Sequence, residues 1–104
     1  MARTDGDMGL MPTAIGYLRS DVSGIRQTWD ETQIRSLAAR LRYNLAKTVA
    51  FSECTDDPVA QLIAVARRTH AEAVITPGVT HFGGTIPAEL GCVTAVITVT
   101  PEPF

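Results

Sequence analysis

Little in this chain of 104 residues marks it for secretion, a membrane or a polyanion. Cysteine is scarce: Cys54 and Cys92 stand far apart and in no C-x-x-C spacing. Two free thiols in a reducing compartment are therefore expected. Lysine is scarcer, since Lys47 is the only one among nine basic residues. Against eleven acidic side chains they leave a net charge of -2. No basic face follows, and DNA binding by this domain alone is not expected. Residues 1–12, MARTDGDMGLMP, hold no uninterrupted apolar h-region, so no secretory signal is expected. No apolar run approaches the ~20 residues that span a bilayer. The expectation is a cytoplasmic protein with no membrane partner. His70, His81, Cys54 and Cys92 do not share metal-ligand spacing, so no metal is expected.

What is present points to one packed domain. Apolar residues make up 45% of the chain, enough for a core without staples. Residues 1–12 mix charge, glycine and proline without period and are expected to form a flexible tail. Residues 13–104 are expected to form a single domain.

The first ordered stretch, TAIGYLRSDVS over 13–23, organises the rest. Ala14, Ile15, Tyr17 and Leu18 predict a strand that ends in Arg19, Ser20, Asp21 and Ser23. Residues 20–27 are expected to be a polar loop with Gly24 as its flexible point. A helix starts at Thr28 or Asp30, where Thr28-Trp29-Asp30-Glu31 fits a capping box. Its apolar stripe is Ile34, Leu37, Ala38 and Leu41, with Arg40 and Arg42 in the last turn. LAKTVAF over 45–51 predicts a second strand. Asp57 then caps a helix with Pro58 at its first position and Val59, Leu62, Ile63 and Ala66 on its apolar face. Arg67, Arg68 and His70 close that helix, where positive charge opposes the dipole.

AVIT over 73–76 predicts a short buried third strand, followed by a glycine-rich loop over 77–84. A brief helix over 87–92 and a fourth strand over 94–100 complete the chain. Strands alternating with helices argue for an α/β three-layer sandwich with a mainly parallel sheet. Right-handed crossovers place strand one centrally, in the order 2-1-3-4. In such sheets ligands bind outside the carboxyl ends of the strands.

Two segments resemble the catalytic domain of the serine recombinases, the resolvase and invertase family. Gly16-Tyr17-Leu18-Arg19-Ser20, followed by a helix bearing Gln33-Ile34-Arg35-Ser36-Leu37, is similar to that family's opening G-Y-x-R-V-S strand and Q-x-x-x-L helix. Ala73-Val74-Ile75-Thr76 with Val79-Thr80-His81-Phe82-Gly83-Gly84 is similar to its buried strand and L-D-R-L-(G/S)-R loop. The resemblance covers roughly 13–100 and implies a resolvase-like fold. It also implies a serine that attacks a DNA phosphate while arginines neutralise the phosphate oxygens.

Position by position, the family's first arginine falls on Arg19, but its nucleophilic serine falls on Asp21. Its aspartate falls on Thr80, and its two loop arginines on His81 and Gly84. One guanidinium aimed at a phosphoryl transition state is worth on the order of 10³-fold or more. A degenerate, non-catalytic domain is therefore expected, acting as an interaction or regulatory module, as a homo-oligomer or on another protein.

The competing expectation is enzymatic: a re-registered site of Arg19, Ser20, Asp21, Ser23 and His81 acting on a small anion. Against it, Arg19 and Asp21 are expected to pair with each other, the serines to form turns, and His81 to face solvent. Arg19 with Gly83, Gly84 and Thr85 is the candidate anion cradle. That loop has neither a phosphate-binding lysine nor a dinucleotide fingerprint, so no cofactor is expected. Trp29 and Phe82 are expected to be packing residues, or, as an exposed pair, an interface.

Overall fold

The computed structural model describes residues 11–52 and 54–99. The expected tail over 1–12 lies almost wholly outside the described residues. Four strands, β1 (Thr13–Arg19), β2 (Asn44–Phe51), β3 (Ala73–Thr76) and β4 (Ala95–Thr98), form one sheet in the order β2-β1-β3-β4. Every neighbouring pair is parallel. Between them run α1 (Ser20–Ser23), α2 (Gln27–Arg40), α3 (Pro58–Thr69) and α4 (Ala88–Gly91).

Strand alternation explains the three layers. Ala14, Gly16 and Leu18 face α2, and Ala14 and Leu18 pack there with Ile34, Ala38, Ala73 and Ile75. Ile15 and Tyr17 face the other way and pack with Leu62, Ala66, Val74 and Leu90 from α3, β3 and α4. A sheet covered on both faces needs apolar residues at successive positions, and β1 and β3 have them.

At Gly16 β1 leaves no room for a side chain. A Cβ there would stand 2.8 Å from Ile34 Cγ2 and 2.8 Å from Thr48 Oγ1. β2 carries one irregularity: Ala14 pairs with Leu45 but Ile15 with Lys47, so Ala46 is the extra residue of a bulge.

Several expectations are corrected. Residues 20–27 are not a polar loop: β1 runs straight into α1 and then a 3₁₀ turn, Gly24–Arg26. Gly24 sits between them at φ 57, a conformation that suits a residue without Cβ. Because that turn already takes the Gln27 backbone N–H on Gly24 O, α2 starts at Gln27 and the Thr28–Glu31 capping box does not form. Glu31 instead accepts from Gln27 Nε2 at 3.1 Å.

At the other end α2 stops at Arg40. Leu41 is its C-cap and is 44% exposed, so the apolar stripe ends at Ala38. Arg42 lies past the helix at φ 65 and takes no place in the last turn. β4 takes in neither Thr94 nor Val99 because its partner β3 offers only four positions, and the expected end at Thr100 lies outside the described residues.

α3 follows its sequence closely. Asp57 accepts from Ala60 N at 3.3 Å, Pro58 opens the helix, and Leu62 and Ala66 are buried. His70 is its left-handed C-cap at φ 58, its N–H reaching the last-turn carbonyls. Cys54 and Cys92 are free and exposed. Among the described residues no helix is long and apolar enough to cross a membrane.

Candidate functional site

The carboxyl end of β1 brings together Arg19, Ser20, Asp21, Ser23 and His81, the residues named by the sequence. Their hydrogen bonds decide what they can do. Arg19 and Asp21 form a fork, Nε to Oδ1 at 3.1 Å and Nη2 to Oδ2 at 2.7 Å, with about a quarter of each side chain exposed. Such a partly exposed pair contributes little to stability, ~0–1 kcal/mol. It does neutralise the guanidinium, so an anion reaching Arg19 competes with a carboxylate already in place.

Neither serine hydrogen-bonds to His81. Ser20 Oγ donates to the Phe51 carbonyl at 3.2 Å, tying α1 to the end of β2. Ser23 Oγ donates to Asp30 Oδ2 at 2.7 Å, and both residues are buried. The triad of His81, Asp21 and a serine is therefore not assembled.

His81 is not the solvent-facing loop residue expected from sequence: it is 4% exposed. The 3₁₀ turn Val79–Phe82 folds back over β1 and is fastened there twice. Tyr17 Oη donates to the His81 carbonyl at 2.8 Å, and the Phe82 ring stacks on Tyr17 at 4.7 Å between centroids. The imidazole Nδ1 accepts the Arg19 backbone N–H at 2.9 Å. A neutral ring that accepts at Nδ1 carries its proton on Nε2. Burial holds the His81 pKa below its ordinary value, with Asp30 opposing that shift, Arg19 adding to it and Asp21 opposing it.

Two participants were not named from the sequence. Asp30 was read only as part of a capping box. Yet Asp30, Ile34 and Ala38 recur every fourth residue and all are buried. A carboxylate on the apolar stripe of a helix is the signal that a buried donor awaits it, here Ser23. Thr76, at the end of β3, is the second: its Oγ1 is buried with no hydrogen-bond partner among the described residues. Thr76→Val should therefore raise stability by ~1 kcal/mol, the lower end of the cost of an unpaired buried hydroxyl. Thermal unfolding would show this as a Tm higher by about 4–8 °C.

Phe82 packs as expected, whereas Trp29 is 56% exposed. Asp30 takes the inward direction of α2, and its neighbour Trp29, a hundred or so degrees around the helix, points out. Gly83, Gly84 and Thr85 are exposed beyond the His81 turn. Among the described residues no group of three or more His, Cys, Asp or Glu side chains could hold a metal ion. No family model, curated protein or solved structure matches the chain.

Proposed function

We propose that this domain is a resolvase-like scaffold whose phosphoryl-transfer site has been dismantled, and that it serves as a protein-interaction module, in its simplest form a homodimer. One observation carries the proposal. Val22, Ile25 and Trp29, on the helical path leaving β1, are 41%, 103% and 56% exposed. Three large apolar side chains offered to solvent within eight residues are what an interaction surface needs, and tryptophan is a frequent energetic anchor of such surfaces.

Support for lost catalysis comes from the hydrogen bonds at the end of β1. Arg19 is held by Asp21, Ser20 by Phe51 and Ser23 by Asp30. The position matching the family nucleophile carries a carboxylate, which repels a phosphate instead of attacking it.

Sedimentation velocity over a wide concentration range tests the proposal. The wild type is expected to shift from monomer towards dimer, and Ile25→Glu or Trp29→Glu to weaken association ~30-fold or more, as loss of an interface anchor does. A wild type that stays monomeric throughout, with no partner recovered by the patch, would contradict it. Incubation with supercoiled DNA carrying recombination sites should leave no covalent adduct; an adduct abolished by Ser20→Ala or Ser23→Ala would restore a catalytic role.

A further inference from the structure

Among the described residues no serine or carboxylate is hydrogen-bonded to the buried imidazole of His81, but the ring occupies a mechanical position. Arg19, whose backbone N–H it accepts, is the last residue of β1. The next residue begins α1, which carries Val22. Ser23 at the end of α1 is in turn tied to Asp30, next to Trp29 in α2. His81, Arg19, α1, Ser23 and Asp30 therefore form one connected chain between the Val79–Phe82 turn and the exposed apolar row.

We propose that His81 is a proton-sensitive latch: its neutral ring holds the Arg19 amide and fixes the entry to α1, and its imidazolium releases it. The chemistry is direct. Nε2 already bears a proton, so a proton from solvent can add only at Nδ1, the lone pair that receives the Arg19 N–H. Two donors then face each other, and that hydrogen bond is lost.

The charged groups around the ring set the direction. From β1, the Arg19 guanidinium disfavours a second positive charge; from α2 and α1, the carboxylates of Asp30 and Asp21 favour it. Burial, the largest influence, together with Arg19 outweighs the two carboxylates, so the latched state prefers the neutral ring. The sign follows. Above about pH 6.5 the ring is neutral folded or released, and the latch is fully closed. Below it the released state takes up a proton that the latched state resists, so latching weakens as pH falls towards the folded-state pKa. Each unit of separation between the two pKa values is a tenfold change in the latching equilibrium. Regulation of the apolar row by this latch rests on the interaction reading above; the latch itself does not.

The test uses amide hydrogen exchange and NMR on the free protein, so it needs no partner. The Arg19 amide protection factor, corrected for intrinsic exchange, is expected to fall as pH drops from 7 to 5. In His81→Asn, whose side-chain carbonyl accepts but does not titrate, it should stay level. Titration of the His81 ring in the unaltered protein supplies a second measurement that no folding defect can blur, and its midpoint is expected below 6.5. A midpoint at or above 6.5, or equal pH profiles for wild type and His81→Asn, would overturn the latch. Sedimentation at pH 7 and pH 5 separates the two proposals. Association that changes with pH in wild type but not in His81→Asn supports the latch as a regulator. Association indifferent to pH overturns that regulatory role, and absence of association at both values, with the amide still responding, overturns the interaction reading alone.

Discussion

Gly16→Val is expected to destabilise the domain by ~1–3 kcal/mol, at the upper end of that range, and Gly16→Ala by less. The cause is a collision that neither neighbour can relieve. A Cβ at position 16 would lie 2.8 Å from Ile34 Cγ2, 2.8 Å from Thr48 Oγ1 and 3.2 Å from Thr48 Cγ2. Ile34 is fully buried under the sheet, and both residues are β-branched, with little freedom at χ1. The gain from removing a flexible glycine from a strand, ~0.5–1 kcal/mol, offsets only part of the loss.

For a domain this size the valine variant should melt roughly 10–20 °C lower. Native stabilities are only about 5–15 kcal/mol, so the variant is expected to populate the unfolded state measurably in mild urea. Thr48→Ala supplies the internal control. It removes two of the three contacts, so Gly16→Ala should cost less in that background than alone, a non-additivity that a double-mutant cycle reads directly. Equal costs in both backgrounds would show that the Thr48 side chain on β2 gives way freely, and the packing described for Gly16 would be wrong.

The same glycine shows how the sequence and the fold relate. The alternation of strand and helix, the central place of β1, the Asp57-Pro58 start of α3 and the AVIT span of β3 could all be read from periodicity and capping residues. These are local signals, each contained within a few residues. The errors lie where a local signal met a non-local partner. Ser20, Ser23 and Gly24 read as loop formers, but Ser20 is needed by Phe51, thirty-one positions away, and Ser23 by Asp30. Both bonds draw the segment into helical turns.

His81 read as exposed because glycines and polar residues surround it. It is buried because Tyr17 and Arg19, more than sixty positions earlier, offer its backbone and ring the partners they require. The five polar residues assembled at the end of β1 were legible as a group. The Arg19–Asp21 pair was legible too; what was not legible was that Ser20 is matched by the Phe51 carbonyl, Ser23 by the Asp30 carboxylate and His81 by the Arg19 amide. Proximity in a sheet topology follows from strand order, whereas proton ownership follows from angles and distances of a few tenths of an ångström.

Tyr17 joins the two sides of that difference, and Tyr17→Ala is expected to cost the most, ~3–5 kcal/mol, as truncation of a buried aromatic does. Its ring is 2% exposed, stacks on Phe82 and meets Phe51 edge-on at 5.8 Å. Removing it opens a cavity between β1, the end of β2 and the His81 turn, and frees that turn from its main support. Tyr17→Phe keeps the ring and removes only the hydroxyl that donates to the His81 carbonyl, so ~1–3 kcal/mol should be lost, the penalty of one buried acceptor left unpaired.

The pair of variants also has a pH signature. Burial pushes the Tyr17 hydroxyl up to about 12, Arg19 working against the shift and Asp21 with it. A folded-state value above the unfolded value of about 10 favours the neutral phenol, so this contribution is complete below pH 10 and disappears as pH rises towards 12. Urea midpoints measured from pH 8 to 11.5 should fall steeply above pH 10 in the wild type and less steeply in Tyr17→Phe. Parallel profiles would mean that the Tyr17 hydroxyl ionises as freely in the fold as outside it, which a hydroxyl sealed against the His81 carbonyl cannot do.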